Sequence, residues 1–237
     1  MIIGKRKPLA DLAAMLKPYT NICLLGCETC VAVSLSGGAK ETMETALALS
    51  LLLQKEGKEA VITTHTILRQ CEYEYIDEFA KMLPALSPEV FLSLGCGVGV
   101  QALTARLPEQ IFLPGLNTAF MGYPLEQGVW MENCLGCGDC LLDLTMGICP
   151  ITRCAKSMLN GPCGGAKYGK CEVGDGVDCA WLLIYERLAK VGALEKIEAI
   201  QPPKNWSASH HGGPRTIIRE DVRLVSATGE QSGKNTQ

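Results

Sequence analysis

The stretch that decides the fold is residues 21–40, NICLLGCETCVAVSLSGGAK. Residues 21–25 form a short apolar run that predicts a buried strand, and the C-x2-C pair Cys27 and Cys30 follows it. Ser36-Gly37-Gly38 then opens an amphipathic stretch that predicts a helix over 39–56, with Met43, Ala46, Leu47 and Leu51 on one face and Gly57 as its stop. Working outward, 59–63, 90–94 and 110–113 read as further strands, 76–83 and 98–107 as helices, and 84–88 as a proline break. Strand alternating with helix is the signature of a mainly parallel sheet. Residues 1–125 are therefore expected to form a parallel-sheet α/β domain.

Beyond residue 125 glycine and cysteine rise and the periodicity fades. Regular structure is expected to return only at 177–191, where Trp181, Ile184, Tyr185 and Leu188 make an apolar stripe that Gly192 ends. Residues 126–200 thus read as a Cys/Gly-rich, mostly irregular metal-cluster domain with a terminal helix, in which metal–ligand bonds replace a missing core. Residues 201–237 read as an extended C-terminal tail, disordered over 226–237.

The chain has 237 residues, 47% hydrophobic and 20% charged, which suffices for a globular core. A net charge of −3 with no dense basic stretch removes the electrostatic footing for nucleic-acid binding. The longest apolar run, 46–53, is interrupted by Ser50. It is far short of the roughly 20 residues a membrane span needs, so no membrane insertion is expected. The first residues, MIIGKRK, carry no signal-peptide pattern, and the expected location is cytoplasmic. No nucleophile elbow, P-loop or H-E-x-x-H motif is present.

Cysteine is the outlier, with 13 residues, eight of them between Cys134 and Cys179. In a cytoplasmic chain such clusters point to metal binding rather than disulfides. Histidine is limited to His65, His210 and His211, so a metal must be held by sulfur, which favours zinc or iron–sulfur. On the predicted α/β unit Cys27, Cys30, Cys71 and Cys96 all follow strands, whose carboxyl ends share one edge of a parallel sheet. Four sulfurs there suit a cubane cluster or tetrahedral zinc. The alternative is that Cys71 and Cys96 are ordinary core residues, as Cys23 is expected to be. Gly37, Gly38, Gly95 and Gly97 open helices, where free amides would stabilise an anionic cluster. The second of these turns is not a dinucleotide fingerprint, because Val100 stands where the last glycine belongs.

Cys134-Leu-Gly-Cys137-Gly-Asp-Cys140 is a C-x2-C-x2-C run, and Cys149 precedes Pro150, as in bacterial ferredoxins. Eight residues rather than three separate Cys140 from Cys149, so the ferredoxin fold does not follow. Cys154, Cys163, Cys171 and Cys179 provide another four. Two four-thiolate clusters, one cluster with one zinc, and one cluster with structural thiols all fit this inventory.

From Cys134 to about Arg219 the chain resembles the methylenetetrahydrofolate reductase C-terminal domain family. The residues that carry the resemblance are Cys134-Leu-Gly-Cys137, Asn160-Gly-Pro-Cys163-Gly-Gly165, Gly169-Lys-Cys171-Glu-Val173, Cys179-Ala-Trp181, Tyr185-Glu-Arg-Leu188 and Gln201-Pro-Pro-Lys-Asn-Trp206. Gly26-Cys27-Glu-Thr-Cys30 with Gly37-Gly38-Ala-Lys40-Glu41 resembles the small iron–sulfur subunit of two-subunit methylenetetrahydrofolate reductases from anaerobic acetogenic bacteria. The resemblance implies two or three [4Fe-4S] clusters, with zinc at one site as the alternative. It also implies a flavin-containing catalytic partner that carries FMN and reduces methylene- to methyl-tetrahydrofolate in one-carbon metabolism. This chain would then relay electrons between that flavin and a ferredoxin-like or other redox module, with no catalytic residue of its own. Two further readings compete: a zinc-stabilised scaffold of the same complex without a redox role, and an independent redox enzyme acting over Cys27, Cys30, Cys71 and Cys96. Residues 112–123 are a candidate docking face for the partner.

Overall fold

The apolar run after Thr20 becomes the central spine of a parallel sheet in the computed structural model, which describes residues 1–174, 176–219 and 221–223. In chain order the elements are β1 (Ile2–Arg6), α1 (Leu9–Leu16), β2 (Asn21–Cys27), α2 (Cys30–Val33), α3 (Ala39–Lys55) and β3 (Val61–Ile67). There follow α4 (Tyr73–Ala80), α5 (Leu83–Leu86), β4 (Val90–Ser93), α6 (Gly97–Arg106) and β5 (Phe112–Pro114). The remainder comprises β6 (Leu116–Glu126), β7 (Val129–Cys134), α7 (Pro150–Arg153) and α8 (Ala180–Val191), with short 3-10 turns after it.

The parallel sheet runs in the order β3-β2-β4-β5. Ile22, Cys23, Leu24 and Leu25 are all buried, because both faces of β2 are covered and such a strand reads as a continuous apolar run. Ile22 and Leu24 pack with Leu12, Leu16, Leu49 and Leu53 of α1 and α3. Cys23 and Leu25 pack on the other side with Ile76, Phe79 and Leu103 of α4 and α6, where Phe91 stacks on Phe112 at 5.1 Å. Cys23 is a core residue, as expected, and burial pushes its thiol pKa up.

The helix expected at 39–56 is present as α3, but its orientation is not the expected one. Met43, Leu47 and Leu51 are exposed, and the inward face is Thr42, Thr45, Ala46, Leu49 and Leu53. The reason is local hydrogen bonding. Thr42 Oγ1 donates to Gly38 O at 2.8 Å and Thr45 Oγ1 to Glu41 O at 2.6 Å, so both threonines are satisfied within the helix and can be buried. Two further corrections concern boundaries. The second strand lies at Val61–Ile67 rather than 59–63, and Pro84 does not break the chain. It sits in the first turn of α5, where a missing N–H is harmless.

A second, antiparallel sheet of order β1-β6-β7 was not legible in the sequence. Ile2 pairs with Met121 and Arg6 with Leu116, while β6 and β7 form a hairpin in which Tyr123 faces Met131. Register shifts at Met121/Gly122 and Pro124/Glu126 break the alternation that would have announced the hairpin. Regular structure therefore continues past residue 125, and the hairpin straddles the boundary expected there. Within the proposed docking stretch, Phe112 and Leu116 are core residues and β6 is paired on both sides, although Tyr123 is exposed.

The described residues of 135–179 are mostly turns around one short helix, α7. They nevertheless have a small apolar core. Trp181, Ile184 and Leu188 of α8 pack with Met146, Ile148, Met158, Cys154 and Cys179, while Tyr185, placed on the same stripe from sequence, points to solvent. The disorder expected over 226–237 lies outside the described residues. Among those that are described, no helix is long and apolar enough to cross a membrane.

The orientation of α3 is checked by two truncations. Leu49→Ala should lower unfolding free energy in urea by about 2–5 kcal/mol. Leu47→Ala should change it by no more than about 0.5 kcal/mol. The reverse order would mean that the helix presents its other face to the sheet.

Candidate metal centre

Three adjacent strands deliver cysteine to one edge of the parallel sheet. Cys27 is the last residue of β2, Cys71 lies in the turn between β3 and α4, and Cys96 is the N-cap of α6. Cys30 begins α2. Cys27 is buried, Cys30 and Cys96 are half-buried, and Cys71 is exposed as a residue. The Cys71 thiol is nonetheless raised above its ordinary pKa, by partial desolvation first and then by the neighbouring Cys96 and Cys27 thiols. Cys96 packs against Cys27, Val31, Leu94 and Leu116.

Gln70, the residue before Cys71, holds this edge together and was not singled out from sequence. It is fully buried. Its Nε2 donates to Leu25 O at 3.1 Å and Gly26 O at 2.9 Å, and its Oε1 accepts from Ser93 Oγ at 2.6 Å. Ser93 Oγ in turn accepts from the Gly95 amide at 3.0 Å. The ends of β2 and β4 are thereby cross-linked to the loop after β3 through one carboxamide. Gly95 is required for this, since a Cβ there would overlap the Gln70 amide. The four glycine amides expected to face an anion are engaged otherwise. Gly37 N donates to Val31 O, Gly38 N to Glu41 Oε2, Gly95 N to Ser93 Oγ and Gly97 N to Thr118 Oγ1.

The second group begins where β7 ends. Gly136 N donates to Cys134 Sγ at 3.3 Å, an amide-to-sulfur contact made possible by positive φ at Gly136 (+62°) and Gly138 (+82°). Cys149 and Cys154 are the N-cap and C-cap of α7. Cys154 and Cys179 share the Trp181 core, and Cys171 is tied to the same strip because Cys171 N donates to Val177 O at 2.8 Å and Cys179 N to Gly169 O at 2.9 Å. Cys163 is exposed, with Lys156 Nζ at 3.7 Å and Glu172 Oε1 at 3.9 Å. Lys156 and Glu172 form an ion pair that holds the Glu172 carboxyl below its usual range.

The segment expected as an extended tail folds back over the Cys134–Cys140 loop. Lys204 Nζ donates to Asp139 O at 2.6 Å, and Arg215 Nη2 to Gly136 O at 3.1 Å. His210 and His211, expected in a solvated tail, flank an ordered turn in which Ser209 Oγ meets His211 Nδ1 at 3.0 Å and Trp206 contacts the His211 ring. The cluster of Pro202, Pro203 and Trp206 was the available signal, since a tryptophan in a polar tail usually has something to pack on.

The donor set is uniformly thiol, as all 13 cysteines are free. This suits a thiophilic metal. Among the described residues no group of three or more His, Cys, Asp or Glu side chains is arranged around a common metal position, so the thiols are gathered rather than convergent. Two buried side-chain oxygens lack a hydrogen-bond partner among the described residues, and both adjoin candidate ligands. They are Oε1 of Glu28, between Cys27 and Cys30, and Oδ1 of Asn133, beside Cys134. Such atoms call for water, an ion or another bound group to complete their bonding.

Replacing Gln70 tests the scaffold. Gln70→Ala removes the side-chain donor to Gly26 O and the acceptor of the Ser93 hydroxyl proton, while Leu25 O keeps the Leu94 amide, at about 1–3 kcal/mol for a buried group left unpaired. Urea denaturation should show a loss in that range, and Cys71 should react faster with a thiol-alkylating reagent in mass spectrometry. Unchanged stability and reactivity would mean that the loops are held by other contacts.

No curated protein matches the chain. A family model described as methylene-tetrahydrofolate reductase C terminal matches residues 113–207, a stretch that holds the β6–β7 hairpin, all eight C-terminal cysteines and Lys204. Residues 113–207 of this chain are thus similar to the methylene-tetrahydrofolate reductase C-terminal family.

Proposed function

We propose that this chain is the iron–sulfur, electron-relaying subunit of a methylenetetrahydrofolate reductase complex, working with a flavin-containing catalytic subunit. The observation that carries the reading is the gathering of Cys27, Cys71 and Cys96 at the ends of three adjacent strands, against a domain of the reductase family. Cys27, Cys30, Cys71 and Cys96 would hold one metal group. Cys134, Cys137, Cys140 and Cys149, with Cys154, Cys163, Cys171 and Cys179, supply the thiolates for the rest. When bound, [4Fe-4S] clusters at these positions supply one-electron transfer.

The chain's own residues have defined parts in this reading. Gln70 and Ser93 fix the spacing of the first thiols through their hydrogen bonds to the strand ends. The Gly136 amide donates to Cys134 Sγ and fixes where that sulfur sits. Hydrogen bonds to ligand sulfur also raise the potential of a cluster. The catalytic residues and FMN belong to the partner subunit, and a ferredoxin-like protein or another redox module exchanges electrons with this chain.

A second reading, zinc-stabilised scaffolding, is favoured by the unpartnered oxygens of Glu28 and Asn133, which suit a simple cation. Metal analysis separates the two. Anaerobically purified protein should be brown, contain iron and acid-labile sulfide in comparable amounts, and bleach with dithionite. Cys96→Ser and Cys137→Ser should each remove part of the iron without abolishing the other site. Zinc without sulfide would replace the relay by the scaffold.

A further inference from the structure

The strongest unexplained feature is the strap that crosses the Cys134–Cys140 loop. The Lys204 side chain is only 1% exposed, its ammonium bonded to Asp139 O at 2.6 Å and lying 3.1 Å from Asp139 Oδ2, with the Trp206 ring centroid at 5.9 Å. Arg215 Nη2 donates to Gly136 O at 3.1 Å, and its Nη1 donates to Ala208 O. Ala208 O occupies the space that a Cβ on Gly138 would need. Gly136, Gly138 and Asp139 are thus each gripped, by Arg215, the Ala208 carbonyl and Lys204 respectively. Leu135 is left free at 53% exposure. Lys204 meets one carboxylate, that of Asp139, while Arg215 is bonded to two backbone carbonyls. Three thiols share the loop.

We propose that Lys204 and Arg215 are positioning residues for this loop: the 204–215 strap sets its shape before metal arrives, and its two positive charges then stabilise the reduced, more negative state of the cluster bound there. The second half rests on the iron–sulfur reading above; the first does not. A cation beside a sheltered redox centre favours added negative charge more strongly than it would in water, and the potential rises accordingly.

The test uses the full chain with Lys204→Met, Lys204→Arg and Arg215→Gln. In metal-free protein, hydrogen exchange of the 134–140 amides should quicken at least tenfold in Lys204→Met and remain close to wild type in Lys204→Arg. In anaerobically loaded protein, the midpoint of one cluster should fall by about 59 mV or more in Lys204→Met, which corresponds to a tenfold change in a one-electron equilibrium. It should be restored by Lys204→Arg, which keeps the charge. If Lys204→Met does not fold, Arg215→Gln, at an exposed side chain, carries both arms. Exchange that is unchanged in Lys204→Met and Arg215→Gln overturns the inference whatever metal is bound. Altered exchange with unaltered potentials overturns its electrostatic half. Wild-type protein that binds no iron, with exchange that still responds, supports the positioning role and removes the iron–sulfur reading instead.

Discussion

The arrangement at the carboxyl edge of the parallel sheet depends on one buried carboxamide. Gln70 reaches from the turn after β3 to two carbonyls of β2 and to the hydroxyl of Ser93 on β4. Buried polar networks are costly when incomplete and rigidifying when complete. This one is complete, and its members are immediate neighbours of candidate ligands: Gln70 precedes Cys71, Gly26 precedes Cys27, and Gly95 precedes Cys96. The same hydrogen bonds that satisfy the strand ends therefore set how close the thiols stand.

The two parts of the molecule meet at that edge. Leu116, the first residue of β6, is buried against Cys27, Val31 and Leu94, and Thr118 of β6 accepts the amide of Gly97 next to Cys96. Both residues lie within the segment that matches the reductase family. On its far side β6 runs into the hairpin that ends at Cys134. One strand thus touches the first group of thiols at its start and leads through β7 to the second, while β1 from the N-terminus locks it in place. The central strand of the antiparallel sheet thus fixes both groups of thiols in one body.

The α/β core was legible because burial on both faces writes itself as unbroken apolar runs, as in Ile22 to Leu25. The strand-end positions of Cys27 and Cys96 followed from the alternation of elements alone. What escaped was whatever depended on polar side chains satisfied at short range or on distant partners. Thr42 and Thr45 hid the inward face of α3, because a threonine bonded to its own helix behaves as an apolar residue. Gln70 looked like any loop glutamine, and Lys204 like any tail lysine, since only tertiary contacts distinguish them. The β6–β7 hairpin was masked by Gly122 and Pro124, which spoil its alternation where the register slips.

The spacing of the two groups along the chain has a consequence for how the protein matures. Cys134, Cys137 and Cys140 sit within seven residues, so bringing these thiols together closes only short loops at small entropic cost. The thiols from Cys27 to Cys96 come together only after two crossover connections have laid β2, β3 and β4 side by side. Such non-local pairing is the slow part of folding. Assembly of the first group of thiols has to wait for the finished sheet, whereas the second can gather while the polypeptide is still collapsing.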